Sequence, residues 1–430
     1  MSTRYTQSES LLREAVELFP TGTQTAMKSA ASFPIGVAPL FVQKAQGARL
    51  WDVDGNEYVD FVGALGPITL GYNDPDVTAA VSEQLKIGPL FSLSHPIELE
   101  VARLLQEMIP CCEMVRFGKN GSDMTTTAIR LARAVTGRDH IALCGYHGWH
   151  DWSIAPTPQN TGIPQAIQAL SHTFKYNDID SLDSIFHTYP NQIAAVIMEP
   201  MRAELPHDGF LEQIRELCTK RGTVLIFDEI VTGFRFANGG AQELFGIIPD
   251  LAVFAKGMSN GFPLSALTGC RELMQPLAKI HASLTYGGET LSLAAAKATL
   301  EKYCREPVIA AIKSHGKRLL DGIVKLVESN ELTEVFLVGG DPSLPFMLPR
   351  GGLGFGEPEI RTYFLQEMFE RGFLVLGVHA MSYAHTEDDI DRLLVAYADV
   401  LPKLASAIRN KTLPSLLKAS PPQHSTTNWR

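Results

Sequence analysis

Apolar segments of helical and of strand-like length alternate along the middle of the chain. The helical candidates span 76–85, 98–108, 123–135, 211–221 and 291–306. Short apolar runs lie at 114–117, 140–143, 194–198, 224–228 and 251–255. Runs such as AAVIME and TVLIFDE do not alternate between apolar and polar positions, which is typical of strands buried on both faces. The pattern predicts an α/β fold with a mostly parallel central sheet flanked by helices.

Both ends of the chain differ from this middle part. An amphipathic helix is predicted up to about Phe19–Pro20, followed by β-like runs at 40–42, 48–52 and 58–61, the last two joined by the turn Asp54–Gly55–Asn56. After a helix at 309–327, the short strands PFMLP and FLVLG and a helix at 387–401 predict a smaller α+β lobe. We therefore predict four parts: an N-terminal segment 1–60 contributing to the small domain, a large domain 61–310, a C-terminal small α+β domain 311–410, and a disordered tail 411–430.

Composition narrows the classes of protein. The 430 residues carry a net charge of −10, so no basic surface for nucleic acid is expected. No apolar run approaches the roughly 20 residues that cross a bilayer, and the polar N-terminus does not resemble a signal peptide. The six cysteines contain no C-x-x-C pair, which favours reduced thiols over disulfides or structural zinc. We expect a cytoplasmic protein with small-molecule partners and neither membrane nor nucleic acid as a partner.

Two strand ends carry charged residues. LIFDEIVTGFR runs from an apolar strand directly into Asp228–Glu229, and Lys256 follows the apolar run 251–255. A carboxylate at such an edge can keep a ring nitrogen protonated, although a metal ligand or a strand cap fits equally well. A partly desolvated lysine is a nucleophile for carbonyls, although snorkelling explains Lys256 taken alone. Asp228 and Lys256 are one strand–helix–strand unit apart, which favours strands that flank one crevice.

Two upstream loops offer further ligand contacts. In FGKNGSDMTTTAIR a strand gives way at Gly121 and Ser122 to a helix, whose free N–H groups attract phosphate, although Ser is also an ordinary helix cap. In CGYHGWHDW, Tyr146 follows a strand and can stack on a planar ring. His147 and His150 have no third ligand nearby in sequence, so we expect no metal.

Two later motifs are less specific. In AAVIMEPMRAE, Glu199 ends a buried strand as a cap or brace, and Glu204 follows in a loop that can reach a polar ligand atom. In SLTYGGETLSL, Thr285 and Thr290 flank a Gly-Gly loop before a long helix. Their hydroxyls fit either an anion contact or turn chemistry.

Together and in this order, the motifs resemble the class III aminotransferases, which belong to fold type I of the enzymes that use pyridoxal 5′-phosphate. The similarity runs from about residue 10 to about residue 405 and includes LWDVDGNEYVDFVGALGP and K-G-x-x-x-G-x-P. It implies a homodimeric transaminase with shared active sites. The resemblance also implies a role for each candidate residue. Lys256 would bind the cofactor covalently, Asp228 would contact its pyridine nitrogen, and Ile230 and Tyr146 would pack on its two faces. Gly121 and Ser122 would bind its phosphate, Thr285 would reach the phosphate of the neighbouring subunit, and Glu204 would lie near the ring hydroxyl.

Within the class, the chain is most similar to the glutamate-1-semialdehyde 2,1-aminomutase branch. It departs from that pattern at Leu65, where the mutase has an aromatic residue, and at Lys28, where it has an arginine for the substrate carboxylate. Glu289–Thr290 also replaces the Asn-Pro that is common after T-x-G-G in the class. We expect Lys28, Leu65 and Glu289 to contact the substrate. Segments such as GYHGWHDW are also similar to aminotransferases of surface-polysaccharide (lipopolysaccharide) sugars. These similarities imply amino transfer from L-glutamate to a keto- or aldehydo-sugar such as a Kdo-type 8-oxo sugar. We hypothesise that Arg202 or Arg235 binds the donor carboxylate.

Two alternatives stay open at this stage. An intramolecular aminomutase needs no external donor, and exposure to glutamate distinguishes it from a transaminase. A non-catalytic binding protein that kept the fold is disfavoured by the presence of Lys256, Asp228 and the Gly121–Ser122 loop.

Overall fold

A computed structural model describes residues 3–421. Internal contacts divide it into two units, one formed by the segment up to Asp74 with the segment from Ala310, the other by Pro75–Ile309. The predicted large domain, 61–310, starts earlier in the chain than this second unit and ends one residue after it. Of the predicted tail, 411–430, the structure describes residues up to 421, including a short helix at Leu413–Leu416, and 422–430 lie outside the described residues.

The strands, in chain order, are β1 (Val42–Gln46), β2 (Arg49–Asp52), β3 (Glu57–Asp60), β4 (Met114–Gly118), β5 (His140–Cys144), β6 (Ser171–Thr173), β7 (Ile193–Met198), β8 (Val224–Asp228), β9 (Leu251–Phe254), β10 (Ser265–Gly269), β11 (Phe336–Gly339), β12 (Phe346–Pro349) and β13 (Phe373–Leu374).

The α-helices are α1 (Thr6–Leu18), α2 (Pro75–Ile87), α3 (Ile97–Met108), α4 (Gly121–Thr136), α5 (Asp151–Ile154), α6 (Gln165–Gln168), α7 (Ile179–Thr188), α8 (Phe210–Arg221), α9 (Ala241–Phe245), α10 (Arg271–Met274), α11 (Thr290–Arg305), α12 (Val308–Ser329), α13 (Glu357–Glu370), α14 (Glu387–Arg409) and α15 (Leu413–Leu416). Short 3₁₀ turns lie at Thr3–Tyr5, Ala26–Lys28, Ala30–Ser32, Gly63–Leu65, Lys256–Ser259 and Gln275–Lys279.

A seven-stranded sheet forms the centre of the unit Pro75–Ile309. Its order is β4-β10-β9-β8-β7-β5-β6, and β10 alone among these strands runs antiparallel to its neighbours. Every residue of β7, β8 and β9 is buried, which explains their uninterrupted apolar sequences. The predicted mostly parallel α/β sheet is confirmed.

Helix α4 covers one face of this sheet. Its apolar residues Met124, Ile129 and Leu131 pack in one buried cluster with Ile197 and Ile226 from the strands. Each such side chain contributes about 1.5–3 kcal/mol when fully buried. This packing fixes where the first turn of α4 lies relative to the ends of the strands.

The other unit contains a four-stranded sheet of order β1-β2-β3-β13 and the β11-β12 hairpin. The turn between β2 and β3 lies where Asp54–Gly55–Asn56 predicted it, with Gly55 at a φ of 87°. Strand β1 begins at Val42, where the predicted run ended. Its sequence VQKAQ is mostly polar and exposed, so the pattern of apolar residues did not indicate a strand there. No helix within residues 3–421 is both long and apolar enough to cross a membrane.

Candidate active site

Asp228 and Lys256 lie at the carboxyl ends of the adjacent strands β8 and β9. Asp228 is the last residue of β8, is 3% exposed, and pairs in register with Val253. Lys256 opens the 3₁₀ turn after β9 with a φ of 44°. A non-glycine residue in this left-handed region costs of order 1–3 kcal/mol, and such strain concentrates at functional sites. The two residues thus lie at the ends of adjacent parallel strands, as their spacing in the sequence predicted.

The amine of Lys256 lies among charged groups of both signs. Burial lowers its pKa, the carboxylates of Asp228 and Glu199 act to raise it, and the Arg235 guanidinium lowers it further. The balance leaves the pKa of Lys256 below its ordinary value. A larger neutral fraction makes this amine a better nucleophile and base near neutral pH.

Asp228 is fixed by a histidine that our sequence analysis considered only as a metal ligand. His147 Nδ1 lies 2.8 Å from Asp228 Oδ2, and the Ile230 N–H donates to Oδ1 at 3.1 Å. His147 is 1% exposed and stacks on Trp152. Since a carboxylate accepts, we assign the proton to Nδ1. Among residues 3–421, no group of three or more His, Cys, Asp or Glu residues is arranged to hold a metal.

The loop before helix α4 is held in place by side-chain hydrogen bonds. Asp123 Oδ2 accepts the Asn120 N–H at 2.7 Å, and Ser265 Oγ donates to the Asn120 carbonyl at 2.8 Å. These bonds fix the loop before the helix. The N–H groups of Gly121 and Ser122 belong to the first turn, which lacks intrahelical acceptors and attracts negative charge.

Two glycines bring separate parts of the site into contact. A Cβ atom on Gly121 would lie 2.3 Å from Ile230 Cδ1, and one on Gly148 would lie 2.4 Å from Ser122 Cβ. Side chains at either position would collide with these neighbours. Ile230 and the loop after β5 therefore both lie against the first turn of α4.

Glu199 braces the loop that carries Tyr146. Its Oε1 accepts the Tyr146 N–H at 2.8 Å, and a Cβ on Gly145 would lie 2.4 Å from the same oxygen. Burial raises the pKa of the Glu199 carboxyl, and the charge of Asp228 raises it further. The Tyr146 ring itself is 63% exposed, as a stacking surface open to a ligand requires.

Glu229, adjacent to Asp228, has a structural environment. Its carboxylate accepts the N–H groups of Ala241 and Gln242 at 2.8 and 2.9 Å and the Thr232 hydroxyl. Burial raises the pKa of Glu229 to about 7. Of the acidic pair in the sequence, Asp228 acts on the Lys256 amine, whereas Glu229 anchors the following loop.

The remaining candidates are less closely connected. Arg235 is buried near enough to Lys256 to affect its pKa, and Arg202 is half-buried with its charge acting on Glu199. Glu204 and Thr285 are exposed in loops.

Of the three positions that depart from the patterns of the mutase and its class, two lie in the other unit. Lys28 and Leu65 belong to the other unit, Lys28 exposed at the end of a 3₁₀ turn and Leu65 in a 3₁₀ turn with a φ of 73°. Glu289 caps helix α11 by accepting the Leu291 and Ser292 N–H groups. Its carboxylate therefore has a structural use in this chain.

Comparison with known proteins gives a consistent result. The family described as aminotransferase class III matches residues 32–340. The 3-aminobutyryl-CoA aminotransferase of Cloacimonas acidaminovorans is 36% identical over 394 residues, which cover 89% of this chain and 94% of that protein. A glutamate-1-semialdehyde 2,1-aminomutase of Desulforapulum autotrophicum is 34% identical, covering 92% of this chain and 98% of that protein.

A solved structure shares the fold over almost the whole chain. It is the pyridoxal phosphate internal aldimine form of the FumI protein of Sphingopyxis sp. MTA144, with a TM-score of 0.87 and 28% identity, covering 96% of this chain and 100% of that chain. The family match and this structure identify pyridoxal 5′-phosphate as the cofactor.

The residues present fit this cofactor. The first turn of α4, kept clear by Gly121, can take a phosphate. The buried Asp228 carboxylate suits a protonated ring nitrogen, and the Lys256 amine, with its lowered pKa, suits the aldehyde.

Proposed function

The chain belongs to the class III aminotransferases, and from that membership we propose that it transfers an amino group from L-glutamate to the carbonyl of a separate acceptor. The observation that carries this proposal is the placement of Asp228 and Lys256 at adjacent strand ends beside the start of α4. The proposed acceptor carbonyl is not α to a carboxylate. An aldehydo- or keto-sugar of the Kdo type meets this condition.

The names of the relatives support an acceptor of this kind. One is named for an acyl-CoA with an amino group on carbon 3, and the other for moving an amino group between carbons 2 and 1. Because the relative at 36% identity is a 3-aminobutyryl-CoA aminotransferase, a 3-oxoacyl thioester is the second candidate acceptor.

Each proposed site residue has a defined task. When bound, the cofactor supplies an aldehyde and an electron-accepting ring that make the donor α-hydrogen acidic. The Lys256 amine, with its lowered pKa, would take that proton as a general base and return one later as a general acid. Asp228, held by its hydrogen bond with His147, would accept a hydrogen bond from the protonated ring nitrogen. Tyr146 and Ile230 would contact the two faces of the ring and so fix its orientation.

Three departures from the mutase pattern favour transfer between two molecules. Lys28 replaces an arginine in that pattern, and a lysine does not provide the bidentate contact that an arginine gives a carboxylate. Leu65 lacks the aromatic face of the mutase position. Glu289 is committed to the cap of α11.

For the donor carboxylate we favour Arg202 over Arg235. Arg202 is half-buried in the loop after β7, so its guanidinium is accessible to a substrate, and its charge acts on Glu199 beside Lys256. Arg235 is only 2% exposed and is better suited to modulating Lys256. We expect Arg202→Ala to raise the KM for glutamate about tenfold or more, as expected for one charged hydrogen bond. An unchanged KM would exclude Arg202.

We also propose that the enzyme is a homodimer. Leu85, Ile87, Phe91, Leu93 and Leu99 are all exposed within one short stretch of the chain, with Leu93 84% exposed. This stretch contacts the first residue of α11, since Thr290 Oγ1 donates to the Gly88 carbonyl at 2.7 Å. A second copy covering this surface would bring Thr285 to the neighbouring phosphate. Sedimentation of the wild type and of Leu93→Asp tests this, with dissociation expected for the variant.

The proposed reaction is tested by following the visible spectrum of the bound cofactor. L-glutamate alone should convert the cofactor to its aminated form with release of 2-oxoglutarate, and the correct acceptor should reverse the change. The acceptor panel contains an 8-oxo octulosonate, a 3-oxoacyl-CoA and glutamate-1-semialdehyde. Isomerisation of the semialdehyde without any response to glutamate or other amino donors would establish a mutase instead. No amine exchange with any donor would indicate a binding protein.

A further inference from the structure

An ion pair joins the loop before α4 to the start of α11. Lys119 Nζ lies 2.8 Å from Glu289 Oε2, and the two side chains are 15% and 17% exposed. Lys119 stands two residues before Gly121, and Glu289 four residues after Thr285. The pair therefore bridges the two loops proposed to contact cofactor phosphates.

The carboxylate of Glu289 is held from several sides. Its Oε1 accepts the Leu291 N–H at 2.8 Å, and its Oε2 accepts the Ser292 N–H at 3.1 Å and the Ser292 hydroxyl at 2.6 Å. Burial acts to raise the pKa of Glu289, but the hydrogen bonds from Lys119 and Ser292 outweigh it, so the pKa lies below its ordinary value. The negative charge opposite Lys119 is thus permanent at neutral pH.

The loop that Glu289 terminates is closely packed. A Cβ on Gly287 would lie 3.3 Å from the Phe117 carbonyl oxygen, and one on Gly288 would lie 2.9 Å from Glu98 Oε1. The loop 285–289 therefore lies directly against the end of β4, which leads into Lys119. A shift of either loop would break the ion pair.

We propose that Lys119 and Glu289 act together as positioning residues that hold the phosphate-binding turn at Gly121 and Ser122 against the loop 285–289. Cofactor affinity then depends on the pair as a unit. The Lys119 ammonium is engaged by Glu289 and does not itself bind the phosphate. This inference rests on the phosphate position proposed at the start of α4.

The test is a double-mutant cycle on cofactor affinity. Apoenzyme of the wild type, of Lys119→Met, of Glu289→Gln and of the double variant is titrated with pyridoxal phosphate. Each single variant is expected to weaken binding about tenfold, and the double variant no more than either single one. Lys297→Met is the matched control, because Lys297 pairs with Glu100 at 2.6 Å farther along α11. It should leave the affinity unchanged.

Three results would overturn the proposal. If Lys119 binds the phosphate directly, Lys119→Met should weaken cofactor binding, but Glu289→Gln should tighten it because the lysine is released from its ion pair. Unchanged affinity in both single variants, or additive losses in the double variant, would also contradict positioning by the pair.

Two further arms separate this proposal from the phosphate placement. Pyridoxal, which lacks the phosphate, should bind all four proteins with equal affinity, and a matching loss for pyridoxal would refute a role in phosphate binding. If Ser122→Asp, whose carboxylate would repel a phosphate bound at this turn, leaves pyridoxal phosphate affinity intact while the pair variants lower it, the phosphate placement is wrong and the coupling of the pair stands. The melting temperature of each apoenzyme identifies variants that lose affinity through unfolding.

Discussion

His147 Nδ1 donates to Asp228 Oδ2 over 2.8 Å, in a place where both side chains are at most 3% exposed. We expect His147→Phe, which keeps an aromatic ring beside Trp152, to lower kcat/KM about 10- to 100-fold, since a hydrogen bond to a charged group contributes about 1.5–3 kcal/mol. The pH titration of the bound cofactor spectrum should shift as well, because Asp228 loses its partner.

His150→Phe is the control for that variant. His150 lies in the same loop but is hydrogen-bonded to Thr126 at 2.7 Å and not to Asp228. Its activity and spectrum should stay close to wild type. Equal losses in the two variants would show that the loop tolerates neither change and would remove the specific role of His147.

The contact between Gly121 and Ile230 gives a second prediction. In Gly121→Ala the new Cβ would lie 2.3 Å from Ile230 Cδ1, so Ile230 must shift from the position in which we propose that it contacts the cofactor ring. We expect the affinity for pyridoxal phosphate to fall at least tenfold, with a smaller change in melting temperature. Adding Ile230→Val removes only the Cδ1 atom and should restore part of the affinity. No recovery in the double variant would refute the steric explanation.

The site was predictable from sequence only where a residue's role follows from the strand on which it lies. Lys256 and Asp228 follow apolar runs that end at one edge of a parallel sheet, so their proximity was expected. The bond from His147 to Asp228 joins residues 81 positions apart, and no local pattern indicates which loop histidine turns inward. The Lys119–Glu289 pair was missed for the same reason.

Glu229 should matter for stability and not for chemistry. In Glu229→Gln, the amide retains one of two acceptor oxygens, so one of the Ala241 and Gln242 N–H groups loses its partner. We expect a loss of about 1–3 kcal/mol in the free energy of unfolding, measured by denaturant titration. The KM values of the folded variant should stay near wild type. A stable variant with a large fall in kcat would place Glu229 in the reaction.

Two buried histidines predict how stability depends on pH. Burial lowers the pKa of both His379 and His385 to about 4. In the unfolded chain a histidine takes up a proton at a pKa near 6.5. The folded state therefore keeps its full stability above that pH and loses stability as the pH falls from 6.5 to 4, where only the unfolded chain binds the protons. Each histidine is expected to lower the free energy of unfolding by roughly 1–2 kcal/mol at pH 5 relative to pH 8.

The corresponding measurement is the free energy of unfolding of wild type and His379→Gln between pH 8 and pH 5. The difference between the two proteins should narrow towards low pH, because glutamine stays neutral. A difference that does not change with pH would mean that His379 is not the neutral group described.

An element could be predicted from the sequence where its own apolar pattern accounts for its burial. Strand β8 was predicted with its observed limits, 224–228, because all five of its residues are buried and apolar or end the strand. Strand β10, SALTG, was missed because its small and polar residues are buried by neighbouring strands and not by their own hydrophobicity. Helix α13 was also missed, since it is buried on most sides and shows little amphipathic pattern.

The central claim is that Lys256 carries the cofactor. Borohydride reduction of the holoenzyme followed by peptide mass spectrometry tests it, because reduction makes the bond between lysine and cofactor permanent. We predict a phosphopyridoxyl group on Lys256, together with loss of the visible absorption band and of nearly all turnover in Lys256→Ala. A label on another lysine, or an unlabelled protein that still transfers amino groups, would contradict this account.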